Sequence, residues 1–449
     1  MALVIVCILL LGYLLIVTEN ITKVNKAAVA IFVCTVGWVL YISYGTEFVT
    51  RQHASEYANF LNGRATDGRL VKMYIANNIF LKYVGRACEI VLFLLATMTI
   101  VEILENNGCL DFITQLLKTR DSKKLLWRIG VVTFVISANL DNFTTMVMMF
   151  MAVRSVVPNR RQRMILGSAI IIAANCGGAM TVIGSPTGLM LWHAGLATPT
   201  DFSLSLVIPC VLAWALPTWW IGKMLPEHID TEWITLPYRG DDTRLEVWQR
   251  FMMLVVGIGG LWFIPTFHNI TMLSPFIGAL CVLSLLWVVN EVFNRKLLNM
   301  GSMSDRRIPH VLFYGNHQLI LFVMGMVLAL GVVKETGMMT DLSLFLQKNG
   351  ISSMLIGLSA GIVSTVLDNF ATAASYITLQ SSSELNMAYW KIVAYTTSVG
   401  GNLLTIGSVA GLVLMRMEKV RVGWYFRNIG WKAGVGAMVG TGVLLLTLA

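Results

Sequence analysis

Residues 137–145, SANLDNFTT, place an aspartate inside an apolar run, and the chain writes the element a second time at 364–372 as STVLDNFAT. Asp141 and Asp368 stand 227 residues apart (368 − 141), about half the chain. A second matched pair follows in the same order, GGAMTVIGSPTGLML at 177–191 and GGNLLTIGSVAGLVL at 400–414. Two ordered matches at half-chain distance read as an internal duplication, so the fold has to be built twice from the same parts.

The surroundings of these motifs set the solvent. Of 449 residues 56% are hydrophobic and only 13% charged, with a mean hydropathy of +0.71; a soluble domain carries about a quarter charged residues. The chain is therefore an all-α polytopic membrane protein, because helices satisfy their own backbone groups in lipid. No basic stretch or small-residue cleavage site precedes the first apolar span, which argues against a removable signal peptide. The seven cysteines, scattered through apolar runs without paired or ligand spacing, read as small buried hydrophobes. The net charge of +9 sits in short loops beside apolar spans, where cytoplasmic-side topology accounts for it, so nucleic-acid binding has no support.

Taken in order, residues 1–222 form a first repeat: spans at 3–17, 26–44 and 89–105, a hairpin at 125–153, a broken helix at 166–196 and a span at 204–221. A cytoplasmic linker, 223–250, leads to a second repeat, 251–449, with spans at 251–266, 272–293 and 318–333, a hairpin at 351–379, a broken helix at 388–415 and a last span at 433–448. The expected architecture is about ten spans plus two re-entrant hairpins, two of the spans being broken helices. Residues 45–82 read as a long polar segment and 111–118 as an amphipathic stretch at the interface. Basic residues flank the first hairpin on both sides, Lys118, Arg120, Lys123 and Lys124 before it and Arg160, Arg161 and Arg163 after it, so it enters and leaves on one side. The second hairpin has only Lys348 and Lys391 at its ends, which puts it on the opposite side and makes the repeats inverted.

An ionisable aspartate at bilayer depth costs about 2.5 to 3.5 kcal/mol on the insertion scale, so two at matched positions are a functional signal. Inverted hairpins bring their tips together near the midplane, where carboxylates, hydroxyls and exposed carbonyls make an oxygen-rich site suited to a hard cation. Low dielectric and repulsion between the two acids favour a proton on one of them, so protons and metal ions compete for one site. That competition implies exchange of Na⁺ (or Li⁺) for H⁺. The candidate proton and cation ligands are Asp141 and Asp368, joined by Asn142, Asn369, Thr145, Thr372, Ser137 and Ser364. The candidate lining from the broken helices is Ser185, Thr187, Asn402, Thr405 and Ser408. Asn175, Glu89 and Glu102 are further candidates, although Glu89 and Glu102 lie too far apart along one helix to share a site. The alternative reading of Asp-Asn is a helix N-cap at each hairpin tip. No cofactor is implied beyond the transported ions.

At the two Asp-Asn tips, the two Ile-Gly-Ser breaks and Met98-Thr99-Ile100-Val101-Glu102, the chain resembles the NhaD-type Na⁺/H⁺ antiporters of the ion transporter superfamily, which also contains arsenite, citrate and divalent-anion transporters. The resemblance spans nearly the whole chain. It implies an elevator-like transport domain of hairpins and broken helices, a scaffold that dimerises, a bacterial inner-membrane setting, and functional roles for Ser137, Asp141, Asn142, Thr187, Asn369 and Ser408. One position departs: the family commonly has an acid after the first Ile-Gly, and here Ser185 stands there, which leaves stoichiometry and ion choice open.

Two other functions compete. A Na⁺-coupled symporter of small carboxylates such as citrate uses similar hairpins, but its tips tend to be neutral, and two acidic tips repel an anion. An intramembrane aspartyl protease would use the acids as a dyad, yet has no need of a matching glycine-rich break in each half. Transport rather than enzymatic catalysis is the expectation.

Overall fold

The computed structural model describes residues 1–448 except 111, 112, 114–116, 118, 230–244, 295–309 and 381–386. Nearly all of the expected interfacial stretch 111–118 and most of the linker 223–250 lie outside the described residues. The architecture is all-α, as hydropathy demanded. Eight helices are long and apolar enough to cross a membrane: Lys26–Ser43, Gly68–Asn106, Arg160–Met180, Pro199–Gly222, Val247–Thr271, Pro275–Phe293, His317–Glu335 and Val422–Leu448. The other two expected spans are Ala2–Val17, of 16 residues, and the second broken helix, split into Met387–Gly400 and Val409–Glu418.

One segment departs from the sequence expectation. The long polar segment 45–82 is largely helical: Gly45–Gln52 and Ala54–Leu61 fold as short helices, and the third span starts at Gly68, well before the expected residue 89. Spaced apolar residues explain this, since Phe48, Val49, Tyr57, Val71 and Tyr74 are buried and pack as one amphipathic cap on the N-terminal spans. Ile75–Phe80 forms a wide turn inside the long helix, so the polar cap and the apolar span are continuous.

Each hairpin consists of two short helices with an aspartate between them, Ser122–Ser137 with Asn142–Val156 and Ser353–Ser364 with Asn369–Leu379. At 1.5 Å per residue the longest of these, 16 residues, reaches about 24 Å, short of the roughly 30 Å apolar core of a bilayer. Each broken helix packs against the first arm of its own hairpin. The last spans of the two halves, Pro199–Gly222 and Trp431–Leu448, also pack together, and the small residues Gly436 and Gly440 permit it: a Cβ there would lie 2.9 Å from Ala213 O and 2.6 Å from Pro209 O.

Exposure separates centre from rim. Most of Arg160–Met180 is buried, whereas Val247–Thr271 and Pro275–Phe293 are largely exposed. The exposed faces carry Leu3, Leu10, Leu14, Phe32, Trp262, Trp287 and Leu446, side chains that lipid solvates without cost. The first pieces of the broken helices thus form the interior, while the first arm of each hairpin keeps an exposed apolar edge, with Val131 and Val135 in one and Leu355 and Ile362 in the other.

Candidate functional site

Both tips fold as helix caps with buried carboxylates. Asp141 accepts from Phe143 N at 3.0 Å, Thr144 N at 2.8 Å and Thr144 Oγ1 at 2.6 Å, while Asp368 accepts from Phe370 N at 3.1 Å. The capping reading is therefore realised, and it does not compete with a functional one: amides at a helix N-terminus fix the carboxyl group at the apex of each hairpin. Asp368 has a partner that the sequence reading missed, Lys26 Nζ at 2.7 Å from Oδ2. Lys26 begins an apolar span and looked like a loop charge; the available signal was that a buried aspartate calls for a cation.

Where each broken helix meets the first arm of its hairpin, the two halves repeat the same contacts. Ser137 Oγ donates to Ala174 O and Ser364 Oγ to Thr397 O, each at 2.6 Å. A Cβ at Gly177 would lie 2.3 Å from Phe134 O, and one at Gly400 would lie 2.3 Å from Gly361 O. Only glycine allows the broken helix to approach the first arm of its hairpin so closely. Ser185 and Ser408 cap the second pieces of the broken helices, accepting from Gly188 N at 3.3 Å and Gly411 N at 3.1 Å. In place of the acid common in the resembled family, Ser185 has a local capping role here.

The asparagines link the halves. Asn142 Nδ2 donates to Asn175 Oδ1 at 3.1 Å, and Asn175 Nδ2 donates to Asn402 Oδ1 at 2.8 Å, joining one hairpin tip to both broken helices. Asn369, bonded to Ser364 Oγ at 3.3 Å, lies against Gly401, next to Asn402. At the rim, Arg163 Nε pairs with Glu418 Oε1 at 2.9 Å. The first broken helix thus begins beside the end of the second and meets the second again at their breaks, so the two run in opposite directions. Among the described residues Asp141 and Asp368 share no hydrogen-bond partner; each tip's asparagine reaches a broken helix, Asn142 through Asn175 and Asn369 against Gly401, and the two broken helices join at Asn175 and Asn402.

Thr145 and Thr372, one turn after the aspartates, have fully buried hydroxyls that make no hydrogen bond among the described residues, and Thr405 in the second break is the same. These helical threonines forgo the usual bond to the carbonyl four residues back, which Thr133, Thr218 and Thr397 make at 2.6 to 2.7 Å. An orphaned hydroxyl at matched positions beside each acid is the donor set a small cation would use. Among the described residues no three His, Cys, Asp or Glu side chains cluster.

The remaining candidates lie apart. Glu89 pairs with His193 at 3.1 Å beside a cavity of about 300 Å³ lined by Tyr83, Arg86, Lys334 and Thr378, where two basic side chains disfavour a cation. Glu102, thirteen residues further along the same helix and so about 20 Å away, is half-buried with the His317 imidazole as a neighbour. Thr187 is buried at the start of the helix Pro186–His193.

Paired hairpins with acidic apices, wrapped by apolar spans and interrupted by glycine-rich breaks, define an integral membrane transporter. The chain belongs to the family described as "Citrate transporter", which matches residues 13–400. It is 32% identical over 365 residues to the Arabidopsis thaliana "Sodium/proton antiporter 1", covering 78% of this chain and 61% of that relative's length, so it spans less than two thirds of that protein. It is 28% identical over 440 residues to the Arabidopsis thaliana "Sodium/proton antiporter 2", covering 96% of each. To the "Na(+)/H(+) antiporter NhaD" of Vibrio parahaemolyticus it is 27% identical over 376 residues, 76% of this chain and 86% of the relative.

Proposed function

We propose that this protein exchanges Na⁺ or Li⁺ for H⁺ across a membrane. The observation that carries the reading is a buried carboxylate at the apex of each hairpin, each followed one turn later by a threonine hydroxyl without a partner among the described residues. A carboxylate in that setting takes up either a proton or a cation, and occupancy by one requires release of the other. Asp141, Asp368, Thr145 and Thr372 are the ion-bearing groups; Asn142, Asn369, Asn175 and Asn402 hold the tips in register; Ser137, Ser364, Ser185 and Ser408 fix the backbone around them. The antiporter names of both plant and bacterial relatives support the same ion pair.

The two halves are inverted repeats, 1–222 and 251–449, joined by a cytoplasmic linker; the opposite run of the two broken helices supports this. Hairpins and broken helices move as one body against the outer spans, an elevator-type alternation, and the working unit is a homodimer, which rests on the family resemblance. The bacterial NhaD relatives support a bacterial plasma-membrane setting, and the plant relatives are at least as similar.

The family description favours a second reading, Na⁺-coupled uptake of citrate. Two acidic tips oppose it, since a tricarboxylate would meet like charge. Vesicles containing the purified protein and a pH-sensitive dye, given Na⁺, Li⁺, K⁺ or labelled citrate in turn, separate the two. Antiport predicts cation-driven proton movement that Asp141→Asn or Asp368→Asn abolishes. Citrate uptake with no proton movement for any cation rejects it.

A further inference from the structure

Among the described residues Lys26 has no counterpart at the other tip. Its ammonium lies 2.7 Å from Asp368 Oδ2 and 4.2 Å from the centroid of the Phe322 ring, and both partner side chains are under a tenth exposed. Asp141 occupies the equivalent place in the first half and makes no ion pair among the described residues. The capped tip therefore folds without a lysine, and the pair is an addition to one half.

Its placement is poor for a purely structural bridge. Lys26 is the first residue of the helix Lys26–Ser43, so its ammonium faces the positive end of that helix's dipole. A buried ion pair is in general no more stabilising than an apolar contact of the same volume. The pair also crosses a boundary between parts of the molecule: Lys26 belongs to the N-terminal spans and Asp368 to the second hairpin. Two further links cross there, Tyr13 to Ser375 at 2.5 Å and Arg416 to Glu19 at 2.7 Å.

We propose that the Lys26 ammonium is a tethered counter-cation that stands in the cation place on Asp368, so that an alkali ion must displace it to bind there. The inference rests on the antiport reading and adds to it a residue that sets apparent ion affinity. With both aspartates ionised, Lys26 leaves the two tips with one net negative charge, which one monovalent cation neutralises. Displacement also opens the ion pair that ties the hairpin to the N-terminal spans, so arrival of the ion and release of the moving body become one event. The first tip, lacking a lysine, gives no such coupling.

The test is Na⁺-driven proton movement by full-length protein in vesicles, measured for wild type, Lys26→Met and Lys26→Arg. Lys26→Met removes the competitor, and half-saturating Na⁺ should fall by on the order of tenfold, because the carboxylate is left buried and uncompensated. Lys26→Arg keeps the charge and grips a carboxylate with a two-pronged donor, so half-saturating Na⁺ should rise. Shifts in opposite directions support displacement, because loss of a merely structural contact would impair both variants. If Lys26→Met does not insert, Lys26→Arg decides alone: an unchanged or lower half-saturation overturns the proposal. Unchanged values in both variants, with normal wild-type exchange, overturn it while leaving antiport standing; absence of exchange in the wild type overturns the antiport reading itself.

Discussion

The hydroxyl of Thr372 is buried one helical turn beyond Asp368 with no partner among the described residues, although its backbone N–H completes the first turn by donating to Asp368 O at 2.9 Å. Leaving such a group unsatisfied costs about 1 to 3 kcal/mol, which a methyl of the same shape would not incur. Thr372→Val should therefore stabilise the cation-free protein by about that amount. The same exchange at Thr397, whose hydroxyl donates to Val393 O at 2.7 Å, loses a bond and should destabilise by about 0.5 to 1.5 kcal/mol. Adding Na⁺ reverses the ranking. Ligand stabilisation grows with the ratio of ion concentration to its dissociation constant, so a variant without the threonine oxygen gains less from a given concentration. Thermal unfolding of the purified protein in detergent, first in choline buffer and then across a Na⁺ titration, reads both effects. A Thr372→Val protein that is less stable than wild type in choline buffer, or that gains as much from Na⁺, would refute the assignment of this hydroxyl to the ion.

Three further outcomes follow from named contacts. Gly400→Ala places a methyl 2.3 Å from Gly361 O, a backbone atom that cannot rotate away, so at least about 1 to 3 kcal/mol of stability should be lost, with exchange lost as hairpin and broken helix separate; Gly423→Ala, in open space, is the control in the same melt. His53 bonds Glu335 at 2.6 Å, and that bond holds its imidazole above the ordinary value, so protonated His53 supports the packing of the polar cap on the spans. The stabilisation is complete below about pH 6.5, the ordinary imidazole value, and disappears as pH rises through the raised value; a His53→Gln protein should melt at a temperature that no longer falls across that window. Asn175→Leu leaves Asn142 and Asn402 without their shared partner, which should cost about 2 kcal/mol or more and slow exchange, with a smaller effect on half-saturating Na⁺ than Thr372→Val has.

The sequence by itself determined the solvent, the all-α class, the order of spans, and the two acidic tips with their glycine-rich companions. These are local properties: hydropathy over some twenty residues decides burial in lipid, and Asp-Asn before a helix fixes its cap whatever packs nearby. Gly177 and Gly400 were legible as part of the glycine-rich stretches at the breaks, but the sequence could not name Phe134 and Gly361 as the residues whose carbonyls demand them. Tertiary structure alone decided that Asn142, Asn175 and Asn402 join the first tip to both broken helices, that much of the polar stretch 45–82 folds as helices, and that Thr145 and Thr372 are left without partners among the described residues. It alone paired Lys26 with Asp368 across 342 residues. A span carries no record of which neighbour its flanking charge will meet, because that depends on how separate helices pack side by side, and the free energy of burying a charge is settled only once its partner is in place.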